Sequence, residues 1–177
     1  MLVIMITIKK LKRNNNILKG SDKMIRRFKE EDALEVSNLI AHTLRTVNIK
    51  DYTEKQIEHT ISTLPPDKLI EKSKWTHFYV VCDNDKIIGC GAIGPYWGSI
   101  EESSLFTIFV LPEYHGKGIG KKIIEVLERD EYFLRAKRIE IPSSITACEF
   151  YLKQGYNYKN GIKKIDEERL YRLEKHR

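Results

Sequence analysis

Cysteine is scarce in this chain. Cys82, Cys90 and Cys148 form an odd set with no Cys-x-x-Cys spacing, so no disulfide framework is expected and reduced thiols fit best. Histidine is sparse too, and His42, His59, His77, His115 and His176 do not pair with cysteines or carboxylates at metal-ligand spacing, which gives a zinc site no support. Long apolar runs are missing. The longest, Leu2 to Ile8, falls far short of the ~20 residues of a bilayer span. Lys9, Lys10, Lys12 and Arg13 follow that run, whereas a secretory signal puts its basic residues in front. No membrane attachment is expected, and the predicted location is the cytoplasm. Net positive charge is nearly absent from most of the chain. Of the formal +6, residues 1–23 carry +5, from Lys9, Lys10, Lys12, Arg13, Lys19 and Lys23 against Asp22. The remainder holds about +1 and offers no concentrated basic face for phosphate backbones, so no nucleic-acid partner is expected.

What is present suits one globular domain. The 177 residues are 41% hydrophobic and 32% charged, in alternating apolar and polar segments. Residues 1–23 read as a basic, solvated and flexible tail, with Met24 a candidate native start, and residues 24–177 as the folded domain. Met24 to Phe28 predicts a strand. Leu34, Val36, Leu39, Ile40 and Leu44 fall on one broad helical face, and Thr53 caps a second helix that Pro65 and Pro66 should stop. Phe78–Cys82 and Lys86–Ile93 flank Asp83-Asn84-Asp85 as a β-hairpin. A strand at Ser104–Val110 leads to a glycine run, then a helix with the stripe Ile119, Ile123, Ile124 and Leu127, extending to about Tyr132. Arg138–Ile141, Tyr156–Tyr158 and Arg169–Leu173 read as strands, and Thr146–Gln154 as a short helix.

The chemistry concentrates in Val110-Leu111-Pro112-Glu113-Tyr114-His115-Gly116-Lys117-Gly118-Ile119-Gly120. A strand ends, glycines recur at every second position and a helix begins. Glycines let a ligand approach the backbone, and the unpaired N–H groups and dipole at a helix start favour an anion, which together describe a pyrophosphate cradle. Two better-known phosphate loops are excluded. No glycine stands five residues before a Gly-Lys-Ser/Thr sequence, and the dinucleotide fingerprint would need glycine where Lys121 stands.

This loop resembles the Arg/Gln-x-x-Gly-x-Gly/Ala motif of the GNAT superfamily of acyl-CoA N-acyltransferases, with His115 in the first position in place of arginine or glutamine. A second segment, Ser144-Ile145-Thr146-Ala147-Cys148-Glu149-Phe150-Tyr151 through Gly155-Tyr156, is similar to that family's Asn/Ser-x-x-Ala-x-x-Phe-Tyr-x-x-x-Gly-Phe. The resemblance spans residues 24–174. It implies an α+β domain in α/β/α layers: a mostly antiparallel mixed sheet of six to seven strands, splayed beside the strand before the glycine loop, and about four helices. It also implies direct transfer of acetyl from acetyl-CoA to an amine, a small molecule being favoured over a protein N-terminus or lysine. A homodimer is left open.

Residue roles come from the same likeness. Residues 116–120 would hold the diphosphate, with His115 and Lys117 alongside. The backbone of Ile108, Phe109 and Val110 would pair with the pantetheine arm, and Ser144 would bond that arm or cap the helix behind it. Tyr151 would protonate the departing thiolate. A phenol near pKa 10 facing a thiol near 8.5 is mismatched by roughly 2 kcal/mol, so the site should lower the phenol's pKa or let proton transfer lag. Many relatives carry a base where Ser104 stands here, which leaves Glu101 and Glu102 just upstream as candidates. The acceptor pocket is expected between the first two helices, around Leu44 to Tyr52, and the turn bearing Tyr96 and Trp97. A non-catalytic acyl-CoA-binding module and a nucleic-acid binder acting through the tail are the competing readings.

Overall fold

The computed structural model describes residues 23–177, so every residue of the expected tail except Lys23 lies outside it. Seven strands form one sheet: β1 (Lys23–Arg27), β2 (His77–Asp83), β3 (Lys86–Pro95), β4 (Glu102–Val110), β5 (Arg138–Ser144), β6 (Asn157–Tyr158) and β7 (Leu170–His176). Their spatial order is β1-β2-β3-β4-β5-β7-β6. All neighbours run antiparallel except β4 and β5, which are parallel. This is the mixed sheet the resemblance implies.

Six α-helices surround it among the described residues, against the four or so expected: α1 (Ala33–Thr46), α2 (Glu54–Ser62), α3 (Pro66–Ser73), α4 (Ile119–Leu127), α5 (Glu131–Arg135) and α6 (Cys148–Lys153). The extra helices have local causes. Pro65 and Pro66, expected only to end a helix, do more than that. Pro66 opens α3 at its first position, where a missing N–H costs nothing. The helix expected to run on to Tyr132 stops at Leu127, because Asp130 caps α5 by accepting from the Tyr132 N–H at 2.9 Å. The same buried carboxylate accepts from Tyr79 Oη at 2.7 Å and His77 Nδ1 at 2.8 Å. In α1 the apolar face is narrower than expected. Val36, Leu39, Ile40 and Leu44 are buried, whereas Leu34 is 64% exposed.

The two faces of β3 meet different helices, as alternating side chains require. Gly89 and Gly91 lie beneath Ile119, Ile123 and Leu127 of α4, while Gly94 lies against Trp75 and Thr76 just after α3. The closest fit is at Gly91. A Cβ there would stand 2.5 Å from Ile123 Cγ2, an atom fixed one bond from the helix-borne Cβ, so α4 would have to shift. Gly91→Ala is expected to lower unfolding stability by about 1–3 kcal/mol, measured as a reduced urea midpoint with an unchanged slope.

Two features open the sheet at its centre. Pairing of β4 with β5 covers only Glu102–Arg138, Ser103–Ile139 and Ser104–Glu140, and beyond Ser104 the strands part. Pro142, which has no N–H to offer a ladder, lies just past this point in β5. On its other side β4 carries a bulge. Cys90 faces Phe109 and Ala92 faces Phe106, so Thr107 and Ile108 together oppose Gly91. Thr107 takes a φ of 53°, a costly conformation for a β-branched residue and of the kind that gathers at functional sites.

Candidate active site

The parted strands form the floor of a cleft of about 1060 Å³, walled by α1, the α1–α2 link and α6. Residues 105–110 of β4 line one side, with Ile141 and Pro142 of β5 facing them. Ile108, Phe109 and Val110 are half-buried and line the cleft on the open side of the sheet. Tyr52 ties the outer wall together. Its hydroxyl accepts from the Ile145 N–H and donates to the Arg169 carbonyl, both at 2.9 Å. Thr146 Oγ1 donates to Asp51 at 2.7 Å across the same seam. The link Leu44 to Tyr52 therefore borders the cleft as expected. The turn with Tyr96 and Trp97 does not line it: Tyr96 stacks under Arg138, and Trp97 is 90% exposed.

At the far end of β4 the glycine loop delivers α4. Gly118 forms the helix N-cap in the left-handed region at φ 77°, which glycine adopts without strain. The N–H groups of residues 116 to 121 donate to no acceptor among the described residues, and the cap receives no side-chain bond. They form an uncompensated row of donors at a helix start, the arrangement that binds phosphate. Gly116, Gly118, Ile119 and Gly120 all border the cleft. Gly120 has a packing reason as well, since a Cβ there would meet the Phe150 ring at 3.1 Å.

The side chains flanking the loop find partners close by, although both are exposed. His115 Nε2–H donates to the Val110 carbonyl at 2.8 Å, which fastens the loop to the end of β4. Lys117 lies 5.0 Å over the Tyr114 ring and does not line the cleft. Ser144 Oγ accepts from the Ala147 N–H at 3.2 Å and so caps the turn before α6, while also bordering the cleft.

Tyr151 lines the cleft on α6 with its ring packed edge-on against Phe150 and Tyr156. Its hydroxyl makes no hydrogen bond among the described residues. Burial pushes its phenol well above the ordinary value, which goes against the first of the two expected remedies, a lowered phenol, and is compatible with the second, a lagging proton transfer. The environment acts on thiols in the same direction: Cys90, within electrostatic reach of Tyr151, is pushed up to about 12 by burial. A thiol formed beside Tyr151 is desolvated too, so the mismatch between phenol and thiol need not widen. Cys148 is buried with its Sγ 3.6 Å from Tyr158 Oη.

The two carboxylates proposed from sequence stand elsewhere. Glu101 and Glu102 sit at the start of β4, where β4 and β5 are still paired, and line no part of the cleft. Glu101 is bound to Lys137 at 2.6 Å. Glu102 accepts from Arg138 Nε at 3.0 Å and Nη2 at 3.1 Å, bonds that hold its carboxyl below the usual range. Among the carboxylates, Glu168 borders the cleft, and it is engaged by Arg172. Sequence reasoning overlooked Thr107, Pro142 and Lys72. A proline inside an otherwise β-rich segment was a usable signal for the second; the first and third gave none.

Residues 74–158 match the family model described as acetyltransferase (GNAT) domain. The match takes in the glycine loop and Tyr151, and with it the chain is read as an acyltransferase whose residues 74–158 resemble a GNAT acetyltransferase domain. No curated protein sequence matches it. Among solved structures it is similar to the PaiA N-acetyltransferase of Thermoplasma acidophilum, solved with coenzyme A. That likeness has a TM-score of 0.74 at 18% identity, covering 88% of this chain and 99% of that one. A GCN5-related N-acetyltransferase from Rhodopseudomonas palustris gives 0.71 at 19% identity, with 88% and 96% covered. A GNAT family acetyltransferase from Brucella melitensis, solved with acetyl-CoA, gives 0.57 at 19%, with 76% and 82% covered. Identities this low speak for the shared fold.

Proposed function

We propose that this protein transfers acetyl from acetyl-CoA directly to an amine, with a small molecule as the acceptor. The observation that carries the reading is the row of free N–H groups at residues 116 to 121, set at the mouth of a cleft that runs along unpaired strand backbone. The donors suit a diphosphate, and the edge of β4 suits an extended amide-bearing arm. His115 serves the loop's shape through Val110 and leaves phosphate binding to the main chain.

A thioester is already an activated acyl donor, so the protein need only align an amine, see that it is neutral, and steady the leaving sulfur. Tyr151, kept protonated by burial, supplies the proton. An alkylammonium of pKa ~10.4 costs about 4–5 kcal/mol to deprotonate at neutral pH. Neither Glu101 nor Glu102 is placed to accept that proton. The apolar walls of the cleft select the neutral amine, and water at its mouth carries the proton away.

Two measurements test this. Titration calorimetry should show coenzyme A binding, and thiol release should appear with a panel of polyamines, amino acids, aminoglycosides and peptides; binding without release under any amine favours a non-catalytic module. Glu101→Gln is expected to leave kcat/KM within about twofold, with the pH profile unshifted, because the carboxylate is exposed and remote from the cleft. A displaced acidic limb would return Glu101 to the catalytic machinery.

A further inference from the structure

The cleft contains a cation with no anionic partner among the described residues. Lys72, on α3, reaches its wall half-buried, and its Nζ donates to Thr107 Oγ1 at 2.7 Å. Phe106 lies beside it, its ring centroid 6.0 Å from Nζ. No carboxylate pairs with this ammonium among the described residues, and burial lowers its pKa. The other charged groups bordering the cleft differ. Lys121 approaches Glu125 at 3.9 Å on the surface of α4, and Glu168 is engaged by Arg172. A desolvated ammonium with a single hydroxyl partner is costly unless an anion completes it.

Its position says which ligand that anion belongs to. Lys72 meets β4 at Thr107, three residues before the strand ends and nine before Gly116. Its one hydrogen-bond partner among the described residues stands on the bulge, not on the glycine loop. Lys72 also approaches from the α1–α3 side of the sheet, the side of the Leu44 to Tyr52 link, whereas α4 covers the opposite face of β3. One ammonium balances the single charge of a carboxylate.

Building on the acetyltransferase reading, we propose that Lys72 is a specificity-determining residue, and that the acceptor is an amine that also bears a carboxylate, which pairs with the Lys72 ammonium beside the strained Thr107. The acceptor would thus be of the amino-acid class. Thr107 is its positioning partner: the bulge turns Oγ1 toward Nζ and holds the ammonium in the cleft wall.

The test compares amino acids with their carboxamides, matched in amine and side chain, for wild type, Lys72→Met and Lys72→Arg. Coenzyme A affinity and the far-ultraviolet circular dichroism of each protein are followed in parallel. Wild type is expected to favour the acids by roughly 10- to 100-fold in kcat/KM. Lys72→Met should bring that ratio close to one, mainly through KM, and Lys72→Arg should keep most of it, with coenzyme A binding unchanged in both. A wild-type ratio near one overturns the proposal even if the variants fail to fold. Equal losses for acids and amides in Lys72→Met also overturn it, since they would place the ammonium on the transferring acyl group. Absence of coenzyme A binding in wild type would remove the acetyltransferase reading itself; binding and turnover without discrimination would remove only this inference.

Discussion

Replacing Tyr151 with Phe is expected to lower turnover at least tenfold, and up to the 10²–10⁴ typical of a lost proton donor, while coenzyme A affinity stays within about twofold. The substitution removes one oxygen and nothing else. That hydroxyl has no partner among the described residues, so no buried acceptor is orphaned, and the ring keeps its edge-on contacts with Phe150 and Tyr156. Stability should therefore barely change, and a lower kcat can be assigned to chemistry. Steady-state thiol release and calorimetry on the same preparation separate the two quantities. Unchanged turnover would show that the leaving sulfur finds its proton elsewhere and that Tyr151 is an aromatic wall.

The second large effect concerns stability. Arg138→Met should destabilise the fold by about 3 kcal/mol at neutral pH, because it strands carboxylates that one guanidinium now gathers. Arg138 is 14% exposed and binds Glu140 at 2.7 Å and Glu174 at 3.3 Å in addition to Glu102. Glu140 is nearly inaccessible and would retain only Lys159, at 2.7 Å. Glu102 is partly exposed and contributes little to the loss. The pH dependence has a definite sign. The Glu102 carboxyl is held below its ordinary value, chiefly by the Arg138 bonds, so its contribution is present above about pH 4.3 and fades as pH falls. Without Arg138, Glu102 and Glu174 lose a bond that helps hold them low, and the neighbouring carboxylates repel. The deficit of the variant should thus be greatest near pH 7 and narrow toward pH 4, as followed by urea unfolding across that range. A deficit independent of pH would mean that lost packing of the arginine stem is responsible.

Arg138 also explains why the sheet parts where it does. It sits opposite Glu102 in the short parallel ladder, so the β4–β5 pair is clamped by charge at one end. At the other end Pro142 and the Thr107 bulge work against continued pairing. The clamp lies outside the cleft, and its loss should weaken the fold before it alters acceptor choice.

Local rules made much of this protein legible in its sequence. Period-two and helical patterning located the hairpin of β2 and β3 and the buried stripe of α4, and Thr53 with Gln56 closes the capping box at the start of α2. The glycine run fixed a donor-rich helix start, because φ preference and unpaired N–H groups are properties of a few consecutive residues. Pro66 was expected only to stop a helix, and the α4 helix was expected to extend to about Tyr132; prolines and aspartates can end one helix or begin the next, and the outcome depends on whether the next turn finds a surface to pack against.

What only the tertiary structure decided depends on residues distant along the chain. Glu101 and Glu102 looked suitable as bases by their place before β4, but Lys137 and Arg138, 36 residues on in each case, claim them. Lys72 carries no signal in the sequence; the packing of α3 brings its Nζ to Thr107, 35 residues away. Sequence patterns report backbone preferences and which face is buried, since both are set by near neighbours. Which charges meet, and which stand unpaired in the cleft, is set by long-range packing that no local window contains.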